Sequence, residues 1–109
     1  MLEMVSAFDW DSGNRDKCTE HGLSLEEIEF VLRGELRVFP DLAHSASETR
    51  LLAIGRHSAG RHVFVAFTLR RRGTERLVRP ISARYMHQSE VRHYEAQSQF
   101  ATQAADDEV

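Results

Sequence analysis

The sequence predicts a single small α+β domain, in which an antiparallel β-sheet is flanked by two N-terminal helices and one C-terminal helix. Its length of 109 residues suits one domain with a modest core. Ser24 and Glu27 form a capping-box pattern, which is a strong local signal for the start of a helix. Strand-like runs between residues 48 and 85 are separated by short turns at Gly60 and Gly73, and such hairpin-sized connections favour antiparallel pairing.

The first 40 residues are predicted to hold a short strand, two helices and a second short strand. Residues 5–10 contain a brief apolar run typical of a strand. Asp11 or Ser12 can cap a helix that continues to about residue 20 and ends at His21-Gly22. The second helix opens after Ser24 and ends at Gly34, and residues 36–39 form a strand closed by Pro40.

The rest of the domain is predicted to contain three strands and a helix. The strands cover residues 48–57, 62–69 and 75–85. Pro80 cannot donate a hydrogen bond to a strand ladder, so the third of these strands should lie at an edge or carry a bulge. Residues 87–103 favour a helix, which completes the order β-α-α-β-β-β-β-α. The domain is expected to span residues 5–100, followed by an acidic, frayed tail over residues 101–109.

Composition favours a soluble cytoplasmic protein. The sequence shows no run that could cross a membrane and no signal peptide. Cys18 is the only cysteine, so an intramolecular disulfide and a cysteine metal cluster are both excluded. No HExxH motif and no carboxylate cluster with metal-ligand spacing is present, so neither a metal site nor a cofactor is expected.

The net charge of −3 hides a strong asymmetry along the chain. Residues 1–49 contain 11 acidic and 4 basic residues, whereas residues 50–94 contain 10 arginines and 2 acidic residues. Arginine outnumbers lysine 13 to 1, and guanidinium groups suit bidentate phosphate contacts. The basic segment therefore indicates a nucleic acid or an acidic partner, although solvated strand edges would show a similar pattern.

The segment 79–86 concentrates the candidate site residues. Arg79 and Arg84 flank Ser82 on what should be an exposed strand face. Arg84 is the first choice for stabilising a phosphate, and the alternative is a structural ion pair with Glu48 or Glu90.

Four further residues are candidates for chemistry, each with an alternative. Arg50 and Glu48 are expected on one strand face, where they could position a substrate or neutralise each other. His21 at a helix C-terminus suits a general acid, or it caps the last turn. Tyr94 could contact a base or donate a proton, or it belongs to the core. A fifth candidate, His44, lies in a polar loop and could be a base, but the interpretation as an ordinary surface residue is favoured.

Several short motifs occur in a specific order: Phe8-Asp9-Trp10-Asp11, Asn14, Lys17, His21-Gly22, Ser24, Glu26-Glu27, His44, Glu48, Arg50, Ile54-Gly55-Arg56, the run 64–68, Ile81-Ser82-Ala83-Arg84, Glu90 and Tyr94-Glu95. Together, over about residues 6–96, they resemble the BrnT toxins of bacterial type II toxin–antitoxin pairs. The resemblance implies a fold similar to the RelE group of microbial ribonucleases. It also implies metal-independent RNA cleavage and a BrnA-like antitoxin of ribbon-helix-helix type, through which the toxin could form oligomers.

Cleavage of RNA by its own 2′-hydroxyl requires a base, a cation for the phosphorane and a proton for the leaving oxygen. The candidate catalytic residues are Arg84, Arg50, His21, Glu48 and Tyr94, and the candidate substrate-binding residues are Arg79, Ser82, Arg56 and Lys17. The sequence leaves two other functions open. One is a non-catalytic interaction protein that binds an antitoxin or repressor, and the other is a nucleic-acid-binding module that acts through its arginine strands alone.

Overall fold

The computed structural model describes residues 7–44 and 48–107, and the side chains of residues 7–43 and 48–97. The elements are β1 (Ala7–Phe8), α1 (Ser12–Cys18), α2 (Leu25–Arg33), β2 (Arg37–Pro40), a 3-10 turn (Leu42–His44), β3 (Leu51–Arg56), β4 (His62–Arg72), β5 (Glu75–Tyr85) and α3 (Gln88–Asp107). The predicted order of helices and strands is confirmed.

The bounds differ from the predicted ones at several ends. β3 begins at Leu51 rather than at residue 48, and β4 continues three residues past its predicted end. α3 continues to Asp107, beyond the predicted end at residue 103. Residues 5 and 6 of the predicted first strand, residues 45–47 of the predicted loop, and the last two residues of the predicted tail lie outside the described residues.

The five strands form one mixed sheet in the order β1-β5-β4-β3-β2. Neighbours from β2 to β5 pair antiparallel, and short turns join β3 to β4 and β4 to β5. β1, however, pairs parallel with β5, with Ala7 opposite Leu77 and Phe8 opposite Val78. The prediction of a wholly antiparallel sheet is therefore wrong. A long connection separates β1 from β5 in the chain, so no hairpin constrains their relative direction.

β5 carries a bulge next to its proline. Phe67 of β4 lies opposite Pro80, but the preceding residue Ala66 lies opposite Ser82. Ile81 is thus an extra residue without a partner in the ladder. Of the two arrangements that the sequence allowed for this strand, an edge position or a bulge, the structure has the bulge. The proline can lie inside the sheet because the regular ladder is interrupted there.

The bulge places Arg79 and Arg84 on one face of the sheet. Residues five positions apart in a regular strand point to opposite faces. Here Arg79 lies opposite Thr68 and Arg84 lies opposite Phe64, and these two β4 residues share a face. The face shared by Phe64, Thr68, Arg79 and Arg84 is called the second face below.

The other face of the sheet packs against α1 and α2. The core there consists of Cys18, Leu23, Ile28, Val31, Leu32, Ala53, Val63, Val65, Phe67, Val78 and Ala83. Gly55 of β3 is buried beneath α2, and a Cβ atom there would lie 2.7 Å from Leu36 and 2.8 Å from Val31. The absence of a side chain at Gly55 therefore sets how closely α2 approaches the sheet.

Both N-terminal helices begin at reciprocal caps. Asp11 accepts from the Asn14 backbone N–H while Asn14 accepts from the Asp11 N–H, and Ser24 and Glu27 form the same arrangement in α2. The capping box predicted at Ser24 is confirmed. The buried Asn14 amide also donates to the carbonyls of Asp9 and Pro80, so it joins β1, α1 and the bulged strand.

No helix in the described part of the chain is both long enough and apolar enough to cross a membrane.

Replacing Gly55 by alanine should destabilise the fold by about 1–3 kcal/mol, because the added methyl group overlaps packed side chains of α2 and the following loop. Urea unfolding measures the free energy change. Gly34→Ala is the matched control, since the nearest atoms to a Cβ atom there lie 3.6 Å and 3.7 Å away. Equal stability of the two variants would contradict the tight packing at Gly55.

Candidate active site

A shallow trough crosses the second face of the sheet. Its floor follows one cross-strand row, Leu52–Ala66–Ser82, in which two small side chains leave space. The residues that line the trough are His21, Asp41, Arg50, Leu52, Phe64, Ala66, Ser82, Ala83 and Arg84. The trough therefore brings together four of the predicted site residues, and two of them are arginines.

Arg84 is held by Glu90 at the start of α3. Its Nη1 and Nη2 donate to the two Glu90 carboxylate oxygens at 2.8 and 2.9 Å, and Nη1 also donates to the Tyr85 carbonyl. The guanidinium carbon lies 4.8 Å from the centre of the Phe64 ring. The ion pair with Glu90 that the sequence left as an alternative is present, yet 40% of the Arg84 side chain stays accessible to solvent.

The Glu90 contact leaves one edge of the Arg84 guanidinium available. The carboxylate occupies the end of the group, between Nη1 and Nη2. Nε and the outer hydrogen of Nη2 form a second donor fork, for which the described residues supply no acceptor. A side-on fork of this kind fits two oxygens of a phosphate. Glu90 can thus orient Arg84 without excluding a phosphate from it.

The same ion pair changes the acidity of both partners. The hydrogen bonds from Arg84, followed by that from the His87 backbone, lower the pKa of Glu90 from 4.5 to about 2. The Glu90 carboxylate in turn raises the pKa of Arg84. Both groups are therefore charged throughout the neutral range.

Arg50 lies across the floor from Arg84 and pairs with Asp41. The Arg50 Nε is 3.4 Å from the Asp41 carboxylate, and the Asp41 backbone N–H donates to the Arg50 carbonyl. Glu48 and Arg50 both precede β3, so the prediction that they share a strand face is wrong. Glu48 pairs instead with Arg70, at 3.1 and 3.2 Å, and it does not line the trough.

His21 supplies the imidazole of the trough. It follows the end of α1, and Gly22 takes a positive φ of 87° that turns the chain toward α2. The ring is exposed, and its nearest carboxylate is that of Glu20, at 4.0 Å. His21 therefore places a solvent-accessible imidazole beside Ser82 and Arg84.

Arg79 is not the exposed cation that the sequence predicted. Its Nη1 lies 2.9 Å from the Asp11 carboxylate and 3.5 Å from that of Asp9, and only 17% of its side chain is exposed. The hydrogen bond from Arg79 lowers the pKa of Asp11, and the reciprocal bond raises the pKa of Arg79. Arg79 thus joins the start of α1 to β5. Lys17 is exposed near the end of α1 and does not line the trough.

Tyr94 and Arg56 lie together at another depression, called the β3–α3 cleft. It is lined by Phe30, Gly34, Glu35, Leu36, Arg37, Ile54, Gly55, Arg56, His57, Ser58, His62, Tyr94 and Glu95. The Tyr94 ring meets the His62 ring edge-on at 5.8 Å and is half-buried. The structure therefore separates Tyr94 and Arg56 from the trough. The side chain of His44 lies outside the described residues.

Sequence reasoning missed Asp41 and Phe64, which line the trough. Asp41 follows the end of β2, and its partner Arg50 is nine residues away in the chain. Phe64 belongs to an apolar strand whose residues look alike in sequence. A link between Glu27 and His57, which joins the start of α2 to the β3–β4 turn, was also missed. Among the described residues, no three His, Cys, Asp or Glu side chains cluster as metal ligands would.

The chain matches a family model over residues 10–90, and the model describes a ribonuclease toxin, BrnT, of type II toxin–antitoxin systems. The match covers well over half of the chain, so the chain belongs to this family. Membership implies an antitoxin partner and, at the level of the family, ribonuclease activity. No curated protein matches the chain.

Glu90→Gln should remove a pH-dependent part of the stability. The folded pKa of Glu90, about 2, lies below the ordinary value of 4.5. Its carboxylate therefore stabilises the fold above pH 4.5, and this contribution is lost as the pH falls toward 2. We expect the difference in unfolding free energy between wild type and Glu90→Gln, measured in urea, to shrink across that range. Glu95→Gln on the same helix is the control, and an equal difference at every pH would contradict the assignment.

Proposed function

We propose that this protein is a metal-independent ribonuclease with a RelE-like architecture, which cleaves RNA in the cytoplasm and arrests growth until its antitoxin binds. The single observation that carries the proposal is the trough, where guanidinium groups from Arg50 and Arg84 face an exposed imidazole across a floor of small side chains. Family membership supplies the substrate class.

In the proposed reaction, the RNA's 2′-hydroxyl attacks the adjacent phosphorus and the 5′-oxygen leaves. Arg84 binds the phosphate through its Nε and Nη2 fork and stabilises the charge that develops on the phosphorane. Its orientation is set in advance by Glu90 and Phe64, so little reorganisation is needed during the reaction. Arg50 supports the phosphate from the opposite side of the floor.

His21 is the proposed proton-transfer group. Among the described residues that line the trough, it is the one imidazole. An imidazole there can take the 2′-hydroxyl proton or give a proton to the leaving 5′-oxygen. Ser82, half-buried in the floor, can donate a hydrogen bond to the phosphate or the ribose.

A second candidate function is a non-catalytic interaction protein, and one observation favours it. Both arginines of the trough already have a carboxylate partner, Arg84 with Glu90 and Arg50 with Asp41. If these pairs persist in the presence of RNA, the trough would have a structural role and the chain would act by binding its partner.

Arg84→Ala should reduce RNA cleavage by about 100-fold or more while the fold is retained, since a half-exposed strand residue contributes about 1 kcal/mol to stability. The assay uses the purified chain, free of antitoxin, with RNA in EDTA, and circular dichroism checks the fold. Arg84→Lys should stay far below wild type, because an ammonium group cannot form the fork.

Arg92→Ala, which removes one exposed arginine of α3, is the matched control and should cleave normally. Intact RNA at high concentrations of the wild-type protein, together with normal growth after induction, would favour the interaction protein. Unfolding of Arg84→Ala would instead show that the Glu90 pair is needed for the fold.

We further propose that the antitoxin is of the BrnA-like ribbon-helix-helix type and covers the arginine-bearing second face. An acidic or amphipathic segment laid over the trough would block the phosphate site directly. Opposite charges would also speed association, so the on-rate should fall as salt is added.

Hydrogen exchange should therefore show protection of β3, β4 and β5 in the complex, together with loss of RNA binding. The free chain supplies the reference exchange rates. Protection restricted to α1 and α2, with RNA binding unchanged, would place the antitoxin on the opposite side of the molecule.

A further inference from the structure

We infer that the tip of the β4–β5 hairpin is a second RNA-binding site, which holds the phosphate backbone of single-stranded RNA at a distance from the trough. This inference rests on the proposed ribonuclease function. The hairpin tip is defined here as residues 69–76, all of which are exposed. It contains four arginines and one glutamate.

The hairpin tip contains a like-charge pair that the fold itself does not need. Arg71 and Arg76 are direct partners across the β4–β5 ladder, so their side chains leave the same face side by side. Two cations in this arrangement repel each other and destabilise a strand pair. The pair is therefore electrostatically unfavourable in the free protein. An anion bound between the two guanidinium groups would offset this repulsion.

The neighbouring arginines show the contrast. On the opposite face of the hairpin, Arg70 pairs with Glu48 at 3.1 Å and Arg72 lies 3.6 Å from Asp9. Within the described residues, no carboxylate lies within ion-pair distance of Arg71 or Arg76. The uncompensated positive charge of the hairpin tip is thus concentrated on this cross-strand pair.

A polyanion fits this surface better than a protein does. The centres of protein interfaces are depleted of charged residues and enriched in aromatic ones. The hairpin tip has Leu69 as its one large apolar side chain, and the rest is charged or small. Phosphodiesters, by contrast, are bound mainly by Arg and Lys side chains without any need for apolar contact.

The position of the hairpin tip suits a strand that also enters the trough. Arg71 is five residues from Ala66 in the trough floor, which corresponds to roughly 17 Å along β4, and its side chain leaves the opposite face of the sheet, so an RNA chain passes around the end of the hairpin to reach both sites. Both sites belong to one rigid hairpin. An RNA chain can therefore be anchored at the hairpin tip while another of its phosphates lies between Arg50 and Arg84.

The test compares wild type with Arg71→Gln/Arg76→Gln. Binding of a fluorescent single-stranded 2′-O-methyl RNA, which cannot undergo attack by its own 2′-hydroxyl, is measured by anisotropy at several salt concentrations. The plot of log affinity against log salt should lose roughly 0.7 in slope in the double variant, which corresponds to the one phosphate held between the two guanidinium groups. Arg71→Lys/Arg76→Lys should keep the slope, and Arg92→Gln is the control for a charge removed elsewhere.

Two further readouts separate binding at the hairpin tip from chemistry at the trough. A dinucleotide has a single phosphodiester and cannot occupy both sites, so the double variant should cleave it at the wild-type rate. The melting temperature of the double variant should equal or exceed that of the wild-type protein, because the repulsion between Arg71 and Arg76 is removed.

An unchanged salt slope in a protein that still cleaves the dinucleotide would overturn this inference alone. A wild-type protein that neither cleaves the dinucleotide nor binds the oligonucleotide would overturn the proposed function as well. If the double variant loses affinity for the antitoxin but binds RNA as the wild-type protein does, the hairpin tip is a protein contact and the inference of a second RNA-binding site is overturned.

Discussion

The bulge at Ile81 is the constraint on which the arrangement of the second face depends. Pro80 cannot donate to a strand ladder, and the extra residue that follows it shifts the register of β5 by one. Val78 before the bulge and Ala83 after it both face the core, although they are five positions apart. The same shift puts Arg84 on the face that carries Arg79. Without the bulge, one half of β5 would present its polar side chains to the core.

Asn14 fastens α1 to the bulged strand. Its buried amide donates to the Pro80 carbonyl and to the Asp9 carbonyl, while its side-chain oxygen caps α1. A buried amide that is satisfied at three points fixes the relative position of the groups it joins. Because His21 follows α1 directly, the position of the imidazole in the trough depends on this contact. The bulge and the trough are therefore parts of one arrangement.

Arginines near the trough are matched by carboxylates drawn from distant parts of the acidic N-terminal segment or from α3. Asp9 and Asp11 hold Arg79, Asp41 holds Arg50, and Glu90 holds Arg84. The charge asymmetry of the chain is thus partly balanced inside the domain. The Glu90 carboxylate leaves the Nε and Nη2 edge of Arg84 available, whereas the two carboxylates at Arg79 occupy that guanidinium more fully. This difference separates an arginine that can accept a phosphate from one that ties elements together.

The structural features that depend on neighbouring residues in the chain could be predicted from the sequence. The capping box at Ser24, the turns at Gly60 and Gly73, the order of the elements and the need for an edge position or a bulge at Pro80 all follow from local backbone chemistry. The family could also be recognised from the order and spacing of the motifs, because this recognition does not depend on contacts between distant residues. These features could be predicted because each depends on a few consecutive residues.

The contacts between residues that are distant in the chain could not be predicted from the sequence and are known only from the folded structure. In the folded chain β1 pairs with β5 in parallel, Glu48 forms an ion pair with Arg70 rather than with Arg50, and Tyr94 lies outside the trough. The relative direction of two strands joined by a long connection has no local signal in the sequence. The same is true of which of many carboxylates pairs with a given arginine. Several pairings were chemically equivalent in the sequence, and only the packing of the sheet against its helices selected one of them.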